Sequence, residues 1–180
     1  MGELEASHLQ RLGFEDAIDE PYQHFQFAGR ADVRAWSLER RALLHIENKT
    51  RHQDLQGLAG AYNAKRRYLP AVMAERLGLE ARGWDSVTHI LAVLWSSEVL
   101  HVLRLRAGTF GALCPDTSDA FAASWAGTSP AAGATSALVI LDPDPAPSGR
   151  RLRWIGADAA APARPRYRDY ADAAAALSRR

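Results

Sequence analysis

In the stretch LLHIENKTR, residues 43–51, side chains alternate as in a strand, so Leu43, His45, Glu47 and Lys49 share one face and Leu44, Ile46 and Asn48 the other. The run is apolar at its start and ends with a carboxylate beside an ammonium, which gives its far end the character of a site. Lysine is scarce here: of 22 basic residues only Lys49 and Lys65 are lysines, and the rest are arginines. A second carboxylate, Asp32, stands fifteen positions before Glu47, after the break at Ala28-Gly29. A hairpin turning near residues 39–41 brings Asp32 and Glu47 toward one another on neighbouring strands. Two carboxylates a few ångströms apart repel and do not both ionise unless a cation joins them. A small set of hard oxygen donors with room for water and phosphate suits Mg²⁺, for which Mn²⁺ can substitute. Lys49 could then hold or help deprotonate an attacking water and offset the charge building on phosphorus. Such a set suits phosphodiester hydrolysis. A structural cross-strand ion pair is the competing reading of the same three residues.

The elements that must position these groups follow from periodicity. Leu4, Leu9 and Leu12 predict a helix over residues 3–13, closed by Gly13. A strand is predicted over 22–27, and a second over 30–38 with Ala31, Val33 and Ala35 on one face and Asp32, Arg34 and Trp36 on the other. A third over 42–50 completes a meander. Leu58, Ala61, Tyr62, Leu69, Val72, Met73 and Leu77 predict a long helix over 55–77, kinked or broken at Pro70. SVTHILAVLW, residues 86–95, is a β-branched, leucine-rich run, the pattern of a strand buried on both faces. Helices follow over 97–113, capped by Ser96 or Ser97, and over 116–125, with a buried strand over 136–142. Beyond the turn-rich PDPAPSG come a strand over 152–155 and an Ala-rich helix over 167–178. The order is α/β, a mixed sheet flanked by helices. Residues 1–145 read as one domain and 146–180 as an Arg/Ala/Pro-rich extension, partly helical or flexible.

Composition narrows the function classes. With 180 residues, 47% hydrophobic and 24% charged, the chain matches a soluble globular protein with room for one real core. No apolar run reaches the roughly 18 residues of a membrane span, and the acidic, polar start is unlike a secretory signal, so a cytoplasmic protein with no membrane partner is expected. The single cysteine, Cys114, excludes an intrachain disulfide and a Cys-rich zinc site and reads as a small buried apolar residue. His24, His52, His89 and His101 lack metal-ligand spacing, and His45 reads as a packed or hydrogen-bonded residue. There is no Gly-x-Ser-x-Gly elbow around Ser96-Ser97 and no Gly-x-x-x-x-Gly-Lys phosphate loop. A net charge of +1 is silent about nucleic acid, but arginines cluster around residues 40–41, 65–67, 104–106, 150–153 and 164–168. Such clusters either grip phosphates or form a solvated surface.

The constellation resembles the PD-(D/E)xK nuclease superfamily. Asp32 lies on the second strand, Glu47-Asn48-Lys49 on the third, and the order helix, three-strand meander, helix, strand is the family's; the resemblance covers about residues 3–142. The segments LQRLGF, RADVRAW, LLHIENKTRHQDLQ and THILAVLW are similar, in the same order, to those of a bacterial group in which this domain follows a helix-turn-helix. The resemblance implies a restriction-endonuclease-like α-β-β-β-α-β core and Mg²⁺-dependent cleavage of DNA, in preference to RNA, leaving 5′-phosphate and 3′-hydroxyl ends. It makes Asp32 and Glu47 metal ligands together with the backbone carbonyl of Asn48, and Lys49 the catalytic lysine. Glu3 takes an acidic position in the first helix that supports a second metal or its water. Gln53 or Gln56, opening the long helix, takes a polar position lining the site. A homodimer would serve to cut both strands. The chain departs from the pattern in having Ala31 where the motif's proline stands. It is expected to be a stand-alone member or a piece of a longer protein, since no helix-turn-helix is read ahead of the domain. The alternative is a non-catalytic module that keeps the fold to bind nucleic acid or a partner protein.

Overall fold

In a computed structural model describing residues 1–24, 26–51, 54–79, 81–144, 153–157 and 164–178, six strands form one mixed sheet in chain order. The strands are β1 (Glu15–His24), β2 (Phe27–Ser37), β3 (Ala42–Lys49), β4 (Ser86–Leu94), β5 (Gly133–Asp142) and β6 (Arg153–Gly156). The meander β1-β2-β3 is antiparallel, β3, β4 and β5 run parallel, and β6 returns antiparallel. Parallel neighbours need crossovers. These are α2 (Leu55–Arg76) between β3 and β4, and α3 (Ser97–Leu105), α4 (Ala107–Leu113) and α5 (Asp119–Trp125) between β4 and β5. The sequence opens with α1 (Gly2–Gln10) and the described residues close with α6 (Tyr170–Ser178). None of the helices among the described residues is long and apolar enough to cross a membrane.

Helices cover both faces, so β4 is buried along its whole length, as its continuous apolar run predicts. On one face Val33, Ala35, Leu44, Ile46, Ile90 and Val139 pack against Ala6 and Leu9 of α1 and Phe121 and Trp125 of α5. On the other, Leu91, Val93, Leu138 and Ile140 meet Leu58 and Tyr62 of α2 and Val99, Leu100 and Leu103 of α3. Cys114 is buried in this second layer.

Several elements differ from expectation. The turn comes after His24 instead of at Ala28-Gly29, both of which pair with β1 inside β2, so the expected strand over 22–27 is divided between β1 and β2; β5 starts at Gly133, three residues early. β1 begins at Glu15, seven residues before Tyr22, because an edge strand needs only one bonded neighbour and so tolerates Pro21 and a polar outer face. α2 passes through Pro70 without breaking; Leu69 and Met73, both fully buried, pin the helix on either side, and Trp84 Nε1 donates to the Pro70 carbonyl at 2.9 Å. The helix predicted over 97–113 breaks at Arg106 into α3 and α4, ahead of two glycines of low helix propensity. α1 turns a different face inward: Leu4 is 40% exposed, while Glu5, Ala6, His8 and Leu9 are buried. The expected strand start at Leu152 and the linker at 158–163 lie outside the described residues.

Residues 164–178 dock on the sheet's carboxyl edge. The Tyr167 hydroxyl donates to Asp142 Oδ1 at 2.6 Å and Arg166 Nε lies 3.0 Å from Asp142 Oδ2, with Asp142 wholly buried. Ser97 N–H donates to the Tyr167 carbonyl and Tyr167 N–H to the Trp95 carbonyl. A hydrogen bond to a buried carboxylate contributes about 1.5–3 kcal/mol. We expect Tyr167→Phe to lower the urea unfolding free energy by about that amount with an unchanged m-value; no loss would show that the extension is not tied down here.

Candidate active site

The meander comes apart where the candidate groups stand. Val33 opposite Ile46 is the last paired position of β2 and β3 toward this end. Beyond it β2 continues with β1 alone, as far as His24 opposite Phe27, while β3 continues with β4 as far as Lys49 opposite Val93. Asp32 and Glu47 are the next opposed positions, so they sit in the fork, on the face covered by α2. Asp32 replaces the missing ladder acceptor: its Oδ2 takes the Asn48 backbone N–H at 2.7 Å.

Glu47 is the centre of the cluster. It is 4% exposed, yet both oxygens meet ammonium groups, Oε1 the Lys49 Nζ at 2.9 Å and Oε2 the Lys65 Nζ at 2.5 Å. Burial alone would raise its pKa, but the approach of His45 and the two lysines outweighs this and holds it down at about 2. His45 Nε2 lies 3.5 Å from Oε2, long for a hydrogen bond, and has no nearer partner. Lys49 Nζ is also 4.0 Å from Asp32 Oδ2, so one ammonium spans both carboxylates. Burial and then the Glu47 charge push Asp32 up from its ordinary value. Behind Glu47, His45 and His89 face each other Nδ1 to Nδ1 at 3.2 Å inside the core. Burial first, and for His89 also its neighbour, pushes both down, so the pair is neutral.

The structure therefore brings Asp32, Glu47, Asn48 and Lys49 together, while two other expected residues are exposed and do not join their hydrogen-bonded cluster. Glu3 is exposed on α1, because the helix turns Glu5 inward instead. Gln56 is exposed on the first turn of α2, and Gln53 lies outside the described residues. Glu5 Oε2 accepts from Asn48 Nδ2 at 2.6 Å, and burial pushes its carboxyl up to about 7. Lys65 was legible in principle: it is the second of two lysines and falls in the inward stripe Leu58, Tyr62, Lys65, Leu69, Met73 of α2. Glu5 had no comparable signal, since the leucines of its helix suggest another inner face.

Several of the described clustered arginines bond inside the fold. Arg40 donates to the Leu12 carbonyl, Arg41 to those of Arg82 and Gly83, and Arg66 to that of Leu113. Arg150 and Arg151 lie outside the described residues.

Among the described residues no three His, Cys, Asp or Glu side chains gather as a metal-holding group. The side-chain oxygen donors at the fork are the two carboxylates of Asp32 and Glu47, which already share one cationic group. That donor set fits Mg²⁺, which binds through one or two carboxylates and keeps several waters. Comparison with protein-family models, curated proteins and solved structures found no match.

The buried acid on α1 gives a pH signature. A carboxyl raised from 4.5 to about 7 contributes about 3 kcal/mol that is fully present below pH 4.5 and lost as the pH climbs through 7. Glu5→Gln keeps the bond to Asn48 and offers an amide to Asn48 Oδ1, which is buried without a partner. Its melting temperature should match the wild type near pH 5 and exceed it at pH 8. Equal differences at both pH values would mean that Glu5 ionises freely.

Proposed function

We propose that the chain is a divalent-metal-dependent endonuclease that hydrolyses DNA, built on a restriction-endonuclease-like fold of the PD-(D/E)xK type and working in the cytoplasm. The observation that carries this reading is the meeting of Asp32, Glu47 and Lys49 at the fork of β2 and β3, with Lys49 Nζ 2.9 Å from one carboxylate and 4.0 Å from the other. In this reading the two carboxylates, with the Asn48 backbone carbonyl, hold Mg²⁺ or Mn²⁺. A bound ion of this kind polarises the phosphoryl oxygens and makes its water more acidic.

The protein's own groups divide the remaining work. Lys49 has a side chain 30% exposed and opens toward solvent, so its ammonium can orient the attacking water and balance charge on the phosphoryl oxygens. Lys65, at 7%, stays behind Glu47 and keeps it ionised. The water oxygen bonds to phosphorus, the P–O3′ bond breaks, and a water proton ends on O3′, giving 5′-phosphate and 3′-hydroxyl products. Two copies of the chain would be needed to cut both strands in one event.

Supercoiled plasmid incubated with Mg²⁺ or Mn²⁺ should be nicked by the wild type and left intact in EDTA. Lys49→Ala should slow nicking roughly 100-fold or more. A mutant that cuts at the wild-type rate removes Lys49 from the mechanism; a wild type that binds DNA without cutting under any metal favours the non-catalytic module.

A further inference from the structure

Two cavities flank Lys49. One, of about 310 Å³, lies against α2 and is lined by Glu47, Lys49, Arg51, Asp54, Leu58 and Ala61 among others. The second, of about 380 Å³, is lined by Asn48, Lys49, Thr50, Arg51 and Tyr170. Lys49 and Arg51 belong to both, so a chain crossing Lys49 passes from one cavity into the other. Tyr170 comes from α6, at the far end of the sequence from the motif. It is 47% exposed, and the Arg51 guanidinium lies over its ring at 5.5 Å from the centroid.

An exposed aromatic is ordinary on a loose tail, but this one has a fixed support. Tyr167 and Arg166, just before it, are bound to the buried Asp142, and Asp172 Oδ2 accepts the Arg168 N–H at 2.9 Å. The other large aromatic exposed among the described residues, Phe27, is already stacked on Tyr68, with centroids 4.7 Å apart. Arg51 is held only weakly on its other side, its Nε lying 4.0 Å from Glu98 Oε2 at an exposed position. An anchored, half-exposed ring with a guanidinium over one face, itself in a weak exposed ion pair that a phosphate could replace, and a cavity at the small end of the roughly 300–1,000 Å³ of ligand pockets suit one unstacked base with its phosphate.

We propose that Tyr170 and Arg51 form a stacking subsite for an unpaired nucleotide beside the scissile phosphate, so that the preferred substrate is DNA with a single-stranded segment at the cut. The identity of the ligand rests on the nuclease reading above. Binding can be read without cleavage, by fluorescence anisotropy in EDTA, with single-stranded and duplex DNA of one sequence against wild type, Tyr170→Ala and Tyr170→Phe. Single-stranded DNA should bind the wild type more tightly than duplex. Tyr170→Ala should lose roughly 5- to 100-fold for the single strand and less than about twofold for the duplex. Tyr170→Phe should stay within about twofold of wild type, and both variants should melt with it, since the ring is exposed. Wild-type affinity in Tyr170→Ala, or an equal loss for both DNAs, overturns the subsite while leaving metal-dependent nicking to stand by itself. A selective loss in a protein that never cuts DNA supports the subsite and ends the nuclease assignment. A wild type that binds neither DNA in EDTA overturns the subsite, and the nuclease reading is then decided by metal-dependent nicking alone.

Discussion

A carboxylate kept ionised beneath the surface is the constraint around which this structure is arranged. An uncompensated buried charge costs several kcal/mol, and Glu47 is offset by ammonium groups from two elements, Lys49 on its own strand and Lys65 on α2. The chain meets almost every other need for positive charge with arginine, and both of its lysines converge on this one side chain. The physical difference explains the choice. A guanidinium is a broad planar fork suited to paired acceptors, whereas an ammonium is a compact charge that can touch one oxygen, turn to a water, and share a second carboxylate.

That arrangement makes the α2 face of the meander polar in its middle, where Asp32, Arg34, His45 and Glu47 stand with His89 of β4. Arg34, almost fully buried, is paired with Glu20 and lies 3.3 Å from Met73 Sδ. The apolar layers lie around this polar centre: Leu58 and Tyr62 of α2 pack with Leu91, Val93, Leu138 and Ile140, and Leu69 and Met73 with Trp36 and Leu43. The opposite face, from Val33 to Leu141, is packed under α1 and α5. Truncation of a buried residue in either layer should be felt as a folding defect first.

Legibility follows the same division. Alternation along β2 and β3 set the faces of Asp32, Glu47 and Lys49, because a period of two leaves no intermediate choice. The continuous apolar runs of β4 and β5 were equally plain. Less legible were buried polar groups set among apolar ones. Glu5 and His8 share the inner face of α1 with Ala6 and Leu9 while Leu4 lies outside, so leucine spacing alone misjudges the helix phase. Lys65 hides in an apolar stripe for the same reason. The element order defines a mixed sheet flanked by helices and no finer class.

The C-terminal segment covers part of the sheet's carboxyl edge. Ligands of α/β sheets gather beyond the carboxyl ends of the parallel strands. Here three such ends lie side by side, Lys49 of β3, Leu94 of β4 and Asp142 of β5. The segment leading into α6 closes the last two, through Tyr167 on Asp142 and through its backbone bonds to Trp95 and Ser97. Among the described residues the end of β3 is left uncovered by this segment's bonds, beside the gap where β2 turns away. The cavity there is lined by Asn48, Lys49, Thr50 and Arg51, with Tyr170 of α6 as its wall.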